Sequence, residues 1–301
     1  MVRESGPSHV REPAVAGVFY PADARECHEL AATFVRRREA QRVDVRHACG
    51  AIVPHAGWIC SGAIAGEAIA ALAEQVARPD VVVVFGAVHT PLPIKFAALS
   101  SHERWQEPAG DSEVAQDVSR RLIRASGALF GIDDRFHSAE HAVEVELPLI
   151  QIVWPRVRVL PIEVPLIDDA ETIGRHVAQN VGASGLSAVY LASSDLTHYG
   201  PAYRFAPAGI GPQGLAWAKD SDRRVLDLVM NMAVERIVPD VRARSNACGG
   251  GAIAAMLSAC RERGAIGGQI LRHASSFETL ADVAPQRPDN AVGYAGVVIG
   301  R

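Results

Sequence analysis

The stretch that decides the fold is VVVVFGAVHT, residues 81–90. Four valines and Phe85 run without a polar break, which predicts a strand buried on both faces. Such strands lie in the middle of parallel sheets covered by helices. The chain then turns at Gly86 and delivers His89. The pattern recurs in CGAIVPHAGW, where a short apolar run ends at His55. It occurs a third time in AVYLASSDLTHYG, where the run from Ala188 to Ala192 ends at Asp195 and His198. One strand with a polar tip means little, but three point to a shared site.

Working outward, the pattern predicts helix over 22–40, strand 50–54, helix 61–77 and strand 80–86. A variable segment follows to about 110. A helix then opens at Asp111-Ser112, a favourable N-cap pair, with Val114, Val118 and Leu122 recurring every four residues along one face. Helix 140–153, strand 157–164, helix 169–182, strand 187–193 and helix 213–233 come next. Helix 249–262 and strands 268–273 and 292–300 complete the chain. Strands alternating with helices predict an α/β class, a three-layer α/β/α sandwich on a mainly parallel or mixed central sheet. The irregular stretches are 90–110, 198–212 and 274–291, lengths at which loops often serve function. No linker or repeat divides the chain, so residues 1–10 read as a flexible N-terminus and 11–301 as a single domain.

Composition narrows the function classes. The 301 residues are 49% hydrophobic and 21% charged with net charge −4, which provides for a sizeable core. The acidic balance and a pI near 6.3 argue against a nucleic-acid binder. The basic run VRRRE at 35–39 reads as a solvated helix face. No apolar stretch is long enough to span a bilayer, and the N-terminus has no signal-peptide core. Cys27, Cys49, Cys60, Cys248 and Cys260 are odd in number and scattered, and no CxxC pair occurs. That pattern fits a reducing, cytoplasmic setting better than a disulfide framework or a zinc ribbon.

In open α/β sheets ligands bind beyond the carboxyl ends of the strands. If the strands carrying them are parallel, His55, His89, Asp195 and His198 emerge at one edge. Cys248 joins them in SNACGGGAIAAML. Ser245 or Asn246 can cap a helix there, leaving Cys248 at an N-terminus that favours thiolate over thiol. Gly249, Gly250 and Gly251 open that helix at a cost of about 1 kcal/mol each against alanine, which close backbone approach would explain. Two imidazoles and a thiolate suit iron(II), copper or zinc and leave coordination positions open. The metal-free alternative is a Cys248 nucleophile with His198 as base and Asp195 as its orienter. In HSAEHAVEVELP (137–148), His141 and Glu144, at i and i+3 of the expected helix, would support the site from behind. Glu146 reads as part of an exposed charged face. No Walker A or GxGxxG sequence indicates a nucleotide.

These residues resemble a known family. REPAVAGVFYPAD, PHAGWICSG, FGAVHT, EHAVEVELPLIQ, SSDLTHYG, NACGGG and VGYAG fall in the order found in the Memo family, labelled AmmeMemoRadiSam system protein B in prokaryotes, over about residues 11–299. The resemblance implies a fold like that of the LigB-type extradiol dioxygenases, non-haem iron enzymes. It implies a metal, iron or copper, on His55, His89 and Cys248, with Asp195 and His198 lining the pocket. It further implies an iron(II)-dependent oxidoreductase with a small-molecule substrate and radical-SAM and AMMECR1-type protein partners, beside the cytoplasmic setting and the absence of nucleic-acid and membrane partners already read from composition. A non-enzymatic metal-handling or peptide-binding role for the same pocket is the alternative. The chain departs from the family at its second histidine, where Gly86-Ala87-Val88-His89-Thr90 replaces a G-P-[SN]-H-H pattern, and at Trp58, where the family has tyrosine. Ring-cleaving enzymes use a carboxylate where this chain has Cys248.

Overall fold

A computed structural model describes residues 9–36, 43–283 and 287–301. The strands are β1 (Val10–Arg11), β2 (Gly50–Val53), β3 (Val81–Gly86), β4 (Ala97–Leu99), β5 (Arg104–Glu107), β6 (Gly110–Glu113), β7 (Phe130–Ile132), β8 (Arg158–Glu163), β9 (Ala188–Ser193), β10 (His198–Tyr199), β11 (Gly267–Ser275) and β12 (Ala291–Gly300). The helices are α1 (Ala24–Arg36), α2 (Trp58–Ala73), α3 (Gln116–Ser126), α4 (Leu147–Val153), α5 (Ala170–Ala183), α6 (Pro212–Met230), α7 (Val234–Arg244), α8 (Gly250–Glu262) and α9 (Ser276–Thr279).

The opening stretch behaves as its composition dictates. β3 is fully buried, paired in parallel with β9 on one side and β8 on the other. Its side chains alternate between two cores. Val81, Val83 and Phe85 pack with residues of α3, α5, α7 and α8, while Val82 and Val84 pack with α1, α2 and α4. Each such side chain contributes about 1.5–3 kcal/mol when removed from water. The result is an α/β/α sandwich around a nine-stranded mixed sheet of order β10-β12-β2-β9-β3-β8-β4-β7, with β11 added against β12. β2, β9, β3 and β8 run parallel, and β12 joins β2 antiparallel. The strands that end in His55, Asp195 and His89 are therefore neighbours pointing the same way. No helix among the described residues is long and apolar enough to cross a membrane.

Several expectations are corrected. Asp111 and Ser112 do not cap a helix. They lie in β6, paired antiparallel with β5, because the Ser112 hydroxyl donates to the buried Glu107 carboxylate, and α3 starts only at Gln116. The helix expected over 140–153 is a 3-10 turn, Glu144–Glu146, running into α4. Helix 213–233 is shorter and is followed by α7, which holds Pro239. The irregular stretch 90–110 contains β4 and β5, and 274–291 contains α9 with its Ser275–Glu278 capping box. Residues 1–8 and 37–42, which include most of the expected flexible N-terminus and of the basic run, lie outside the described residues.

Candidate metal centre

His55 follows Pro54 at the end of β2 and is 1% exposed. Its backbone N–H donates to the Asp195 carboxylate at 2.9 Å, and its Nδ1 lies 2.9 Å from Ser193 Oγ. The Ser193 hydroxyl donates to the Ala142 carbonyl, so it accepts from Nδ1–H of His55. That fixes the tautomer: Nε2 carries the lone pair, 3.2 Å from Cys248 Sγ. Burial, and then the neighbouring His89 and His141, keep the His55 pKa well below its ordinary value, so the ring is neutral and able to ligate.

His89 leaves β3 on the adjacent loop and is held by Glu140. The buried carboxylate accepts the His89 backbone N–H at 2.7 Å and faces its Nδ1 at 2.9 Å. It also accepts the backbone N–H groups of His141 and Ala142 at 2.9 and 3.2 Å. Burial opposes the charge on both partners. Their mutual hydrogen bond and attraction prevail, holding Glu140 below and His89 above the ordinary value. With Nδ1 committed, Nε2 is the free nitrogen of His89. His141 stacks on His89 with centroids 4.6 Å apart and meets His55 edge-on at 5.2 Å. Burial pushes its pKa down to about 4. It stands beside the site rather than behind it.

Cys248 precedes α8, whose N-cap is Gly249 with no side-chain cap. Neither expected cap serves α8. Ser245 ends α7 in the left-handed region, and Asn246 donates to Ser221 and Asp240. The glycines do bring backbones together. A Cβ at Gly249 would crowd Ser194, one at Gly250 would crowd Leu166 and Val241, and one at Gly251 would meet the Pro165 carbonyl. The expectation of a depressed thiol pKa is corrected too. Burial, reinforced by the Asp195 charge, pushes the Cys248 thiol up and outweighs the contacts from backbone and Ser194. A cation would have to displace that proton.

His198 lies at β10, its Nδ1 3.0 Å from the Leu196 carbonyl and its ring edge-on to Tyr203 at 5.0 Å. It lines a pocket of about 320 Å³ with Tyr203, Phe205 and Cys248. Burial lowers its pKa. Leu196, not Asp195, orients this ring. Asp195 instead ties the His55 loop to β9, and burial raises its pKa to about 7 against the backbone N–H groups of His55 and Ala56.

The donor set fits a divalent metal. One atom each of His55, His89 and Cys248 lie within 4.8 Å of one another, and the set combines two imidazole nitrogens with a sulfur. His89, Glu140 and His141 also cluster that closely. In that second group Glu140 already accepts the backbone N–H groups of His89, His141 and Ala142 and faces Nδ1 of His89.

Glu144 is not at this site. Its carboxylate accepts from Arg11, from the backbone of Ala14 and Val15 and from Tyr20, at 2.7 to 2.9 Å, and so straps the N-terminal segment to the domain. Glu146 is the opposite of exposed. It is 0% accessible, near Asp195 and Ser193, and burial raises its pKa well above the ordinary value. Glu140 and Ser193 escaped the sequence reading because their roles depend on contacts made across the chain. For Glu140, its place beside His141, a residue expected to support the site, was the only local signal.

A family model described as Memo-like protein matches residues 11–298. A MEMO1 family protein of Methanosarcina acetivorans is 33% identical over 296 residues, covering 96% of this chain and 99% of the relative. One from Methanosarcina mazei is 32% identical over 294 residues, with 96% and 99% covered. One from Pyrococcus horikoshii is 29% identical over 299 residues, with 97% and 99% covered. The match runs through every loop that builds the site, from the Arg11 segment strapped by Glu144 to the last strand, and the chain belongs to the Memo family.

Proposed function

We propose that this chain is a non-haem iron-dependent oxidoreductase that holds iron(II) on His55, His89 and Cys248. Copper and zinc are the other ions the donor set accepts. The observation that carries the reading is the convergence of His55 Nε2 on Cys248 Sγ at 3.2 Å while Nδ1 of His55 and of His89 is taken by Ser193 and Glu140. Ligand nitrogens oriented from behind in this way are what a metal centre requires. When bound, the ion supplies Lewis acidity and one-electron chemistry beside open coordination positions.

The residues around it supply the rest. His198, kept neutral by burial and with Nδ1 donating to Leu196, presents Nε2 as a proton acceptor at the pocket wall. The Tyr203 ring and Phe205 give that pocket apolar walls. Asp195 positions the His55 loop by accepting its backbone N–H.

The test is metal content after anaerobic purification. His55→Ala and Cys248→Ala should each lose most of the metal with unchanged far-UV circular dichroism, because one ligand of three is removed from a large core. His198→Ala should keep it. If His198→Ala loses metal as completely as Cys248→Ala, the division into ligands and proton-transfer group is wrong.

A further inference from the structure

Two ligand histidines, two different anchors. His55 is oriented by a neutral hydroxyl and His89 by a carboxylate. We propose that Glu140 is the positioning residue of the metal centre, acting through His89 to set both how tightly the ion is held and how readily it is reduced. The inference rests on the metal reading given above.

Glu140 is 2% exposed, and it gathers two loops that the sequence keeps apart. Oε2 accepts the His89 backbone N–H at 2.7 Å. Oε1 faces Nδ1 of His89 at 2.9 Å, the backbone N–H of His141 at 2.9 Å and that of Ala142 at 3.2 Å. Nδ1 of His141 lies 3.3 Å from the same oxygen. Among the described residues, the groups in hydrogen-bonding or ion-pair contact with the carboxylate are N–H donors or ring nitrogens that can be donors. The side chain of Glu140 thus fixes the His89 loop, the His89 ring rotation and its tautomer with one group.

An anionic acceptor on Nδ1–H pushes electron density toward Nε2 and makes that nitrogen a stronger donor to a cation. A neutral hydroxyl does so less. Of the two imidazoles, His89 is therefore the more basic ligand, and it is also the more accessible, with 36% of its side chain exposed. Its orientation depends on the carboxylate more than on packing. An amide cannot substitute fully. Gln would have to place its NH2 against either the His89 backbone N–H or the cluster of donors at Oε1, setting donor against donor.

The experiment compares wild type, Glu140→Gln and Ser193→Ala. Zinc(II) affinity is read by competition with a chromogenic chelator, and the iron(III)/iron(II) potential by redox titration, with far-UV circular dichroism as the folding control. Glu140→Gln should bind zinc about 10–100-fold more weakly, and its iron potential should move positive because the more oxidised ion loses the stronger donor. Ser193→Ala should shift the potential less. Wild-type affinity and potential in folded Glu140→Gln would overturn the proposal. So would weakened affinity with an unmoved potential, since that would make Glu140 a loop staple only. Should the amide variant not fold, Glu140→Asp, one methylene shorter, is read in the same way against the same two outcomes. A wild-type protein that binds no zinc would instead remove the metal reading itself.

Discussion

Two fully buried glutamates show how differently one fold can treat the same side chain. Glu144, under the N-terminal segment, is surrounded by donors: the Arg11 guanidinium, two backbone N–H groups and the Tyr20 hydroxyl. Glu163, at the end of β8 beneath the His89 loop, has no hydrogen-bond partner among the described residues. His137 Nδ1 lies 3.7 Å from its Oε1. Burial raises its pKa well above the ordinary carboxylate value. It fits there because residue 86 is glycine, since a Cβ at that position would collide with its carboxylate. The strap is a satisfied polar junction that fixes the course of the chain. The carboxylate beside Gly86 is an acid whose charged form is disfavoured by burial and by the nearby Glu140 charge, more than His89 and Arg11 offset.

The contrast breaks most readily at Glu144. Glu144→Ala leaves Arg11, 2% exposed, buried without its carboxylate. Removing one partner of such a pair costs about 3–5 kcal/mol. Chemical denaturation should show that loss. A change below about 1 kcal/mol would put the strap in the class of surface ion pairs and dissolve the comparison.

The smaller and sharper effect is pH dependence at Glu163. Its folded pKa lies above its unfolded one, so as pH rises the unfolded chain releases the proton first. Wild type therefore has the full benefit below the unfolded pKa of about 4.3 and loses stability as pH rises toward the folded pKa. Glu163→Gln has no proton to lose. Measured without metal, the variant should gain on wild type above about pH 4.5, by at most about 1.4 kcal/mol per pH unit. A difference that does not vary between about pH 5 and 7 would show that Glu163 ionises normally in the fold.

How much was readable from sequence follows the same division. β2, β3 and β9 were legible because a strand buried on both faces must be apolar throughout, and their common edge followed from being parallel. His55, His89, Asp195, His198 and Cys248 were legible as a cluster because each sits at a break between an apolar element and a loop, while the choice of His55, His89 and Cys248 as ligands came from the resemblance. The three- and four-residue strands β4, β5, β6 and β7 were not, because segments this short carry no period. Asp111 and Ser112 misled because their N-cap chemistry is used across a hairpin, by Glu107, instead of along a helix. The segment 137–148 was the hardest. Glu140, His141, Glu144 and Glu146 look alike in sequence, yet one holds the His89 ring, one stacks on it, one straps the N-terminus and one is buried beside Asp195. Which acid does which is decided by donors more than a hundred residues away in the case of Glu144 and Arg11, and no local pattern encodes that.

The central claim is that one divalent ion is held by His55, His89 and Cys248, and cobalt(II) titration followed by absorption tests it most directly. Wild type should saturate at one equivalent and show an intense thiolate-to-cobalt charge-transfer band, together with weaker d–d bands of a low-coordinate site. Cys248→Ala should lose the charge-transfer band, and His55→Ala and His89→Ala should fail to saturate at the same concentration. An unchanged charge-transfer band in Cys248→Ala, or saturation at one equivalent in both histidine variants, would contradict the account.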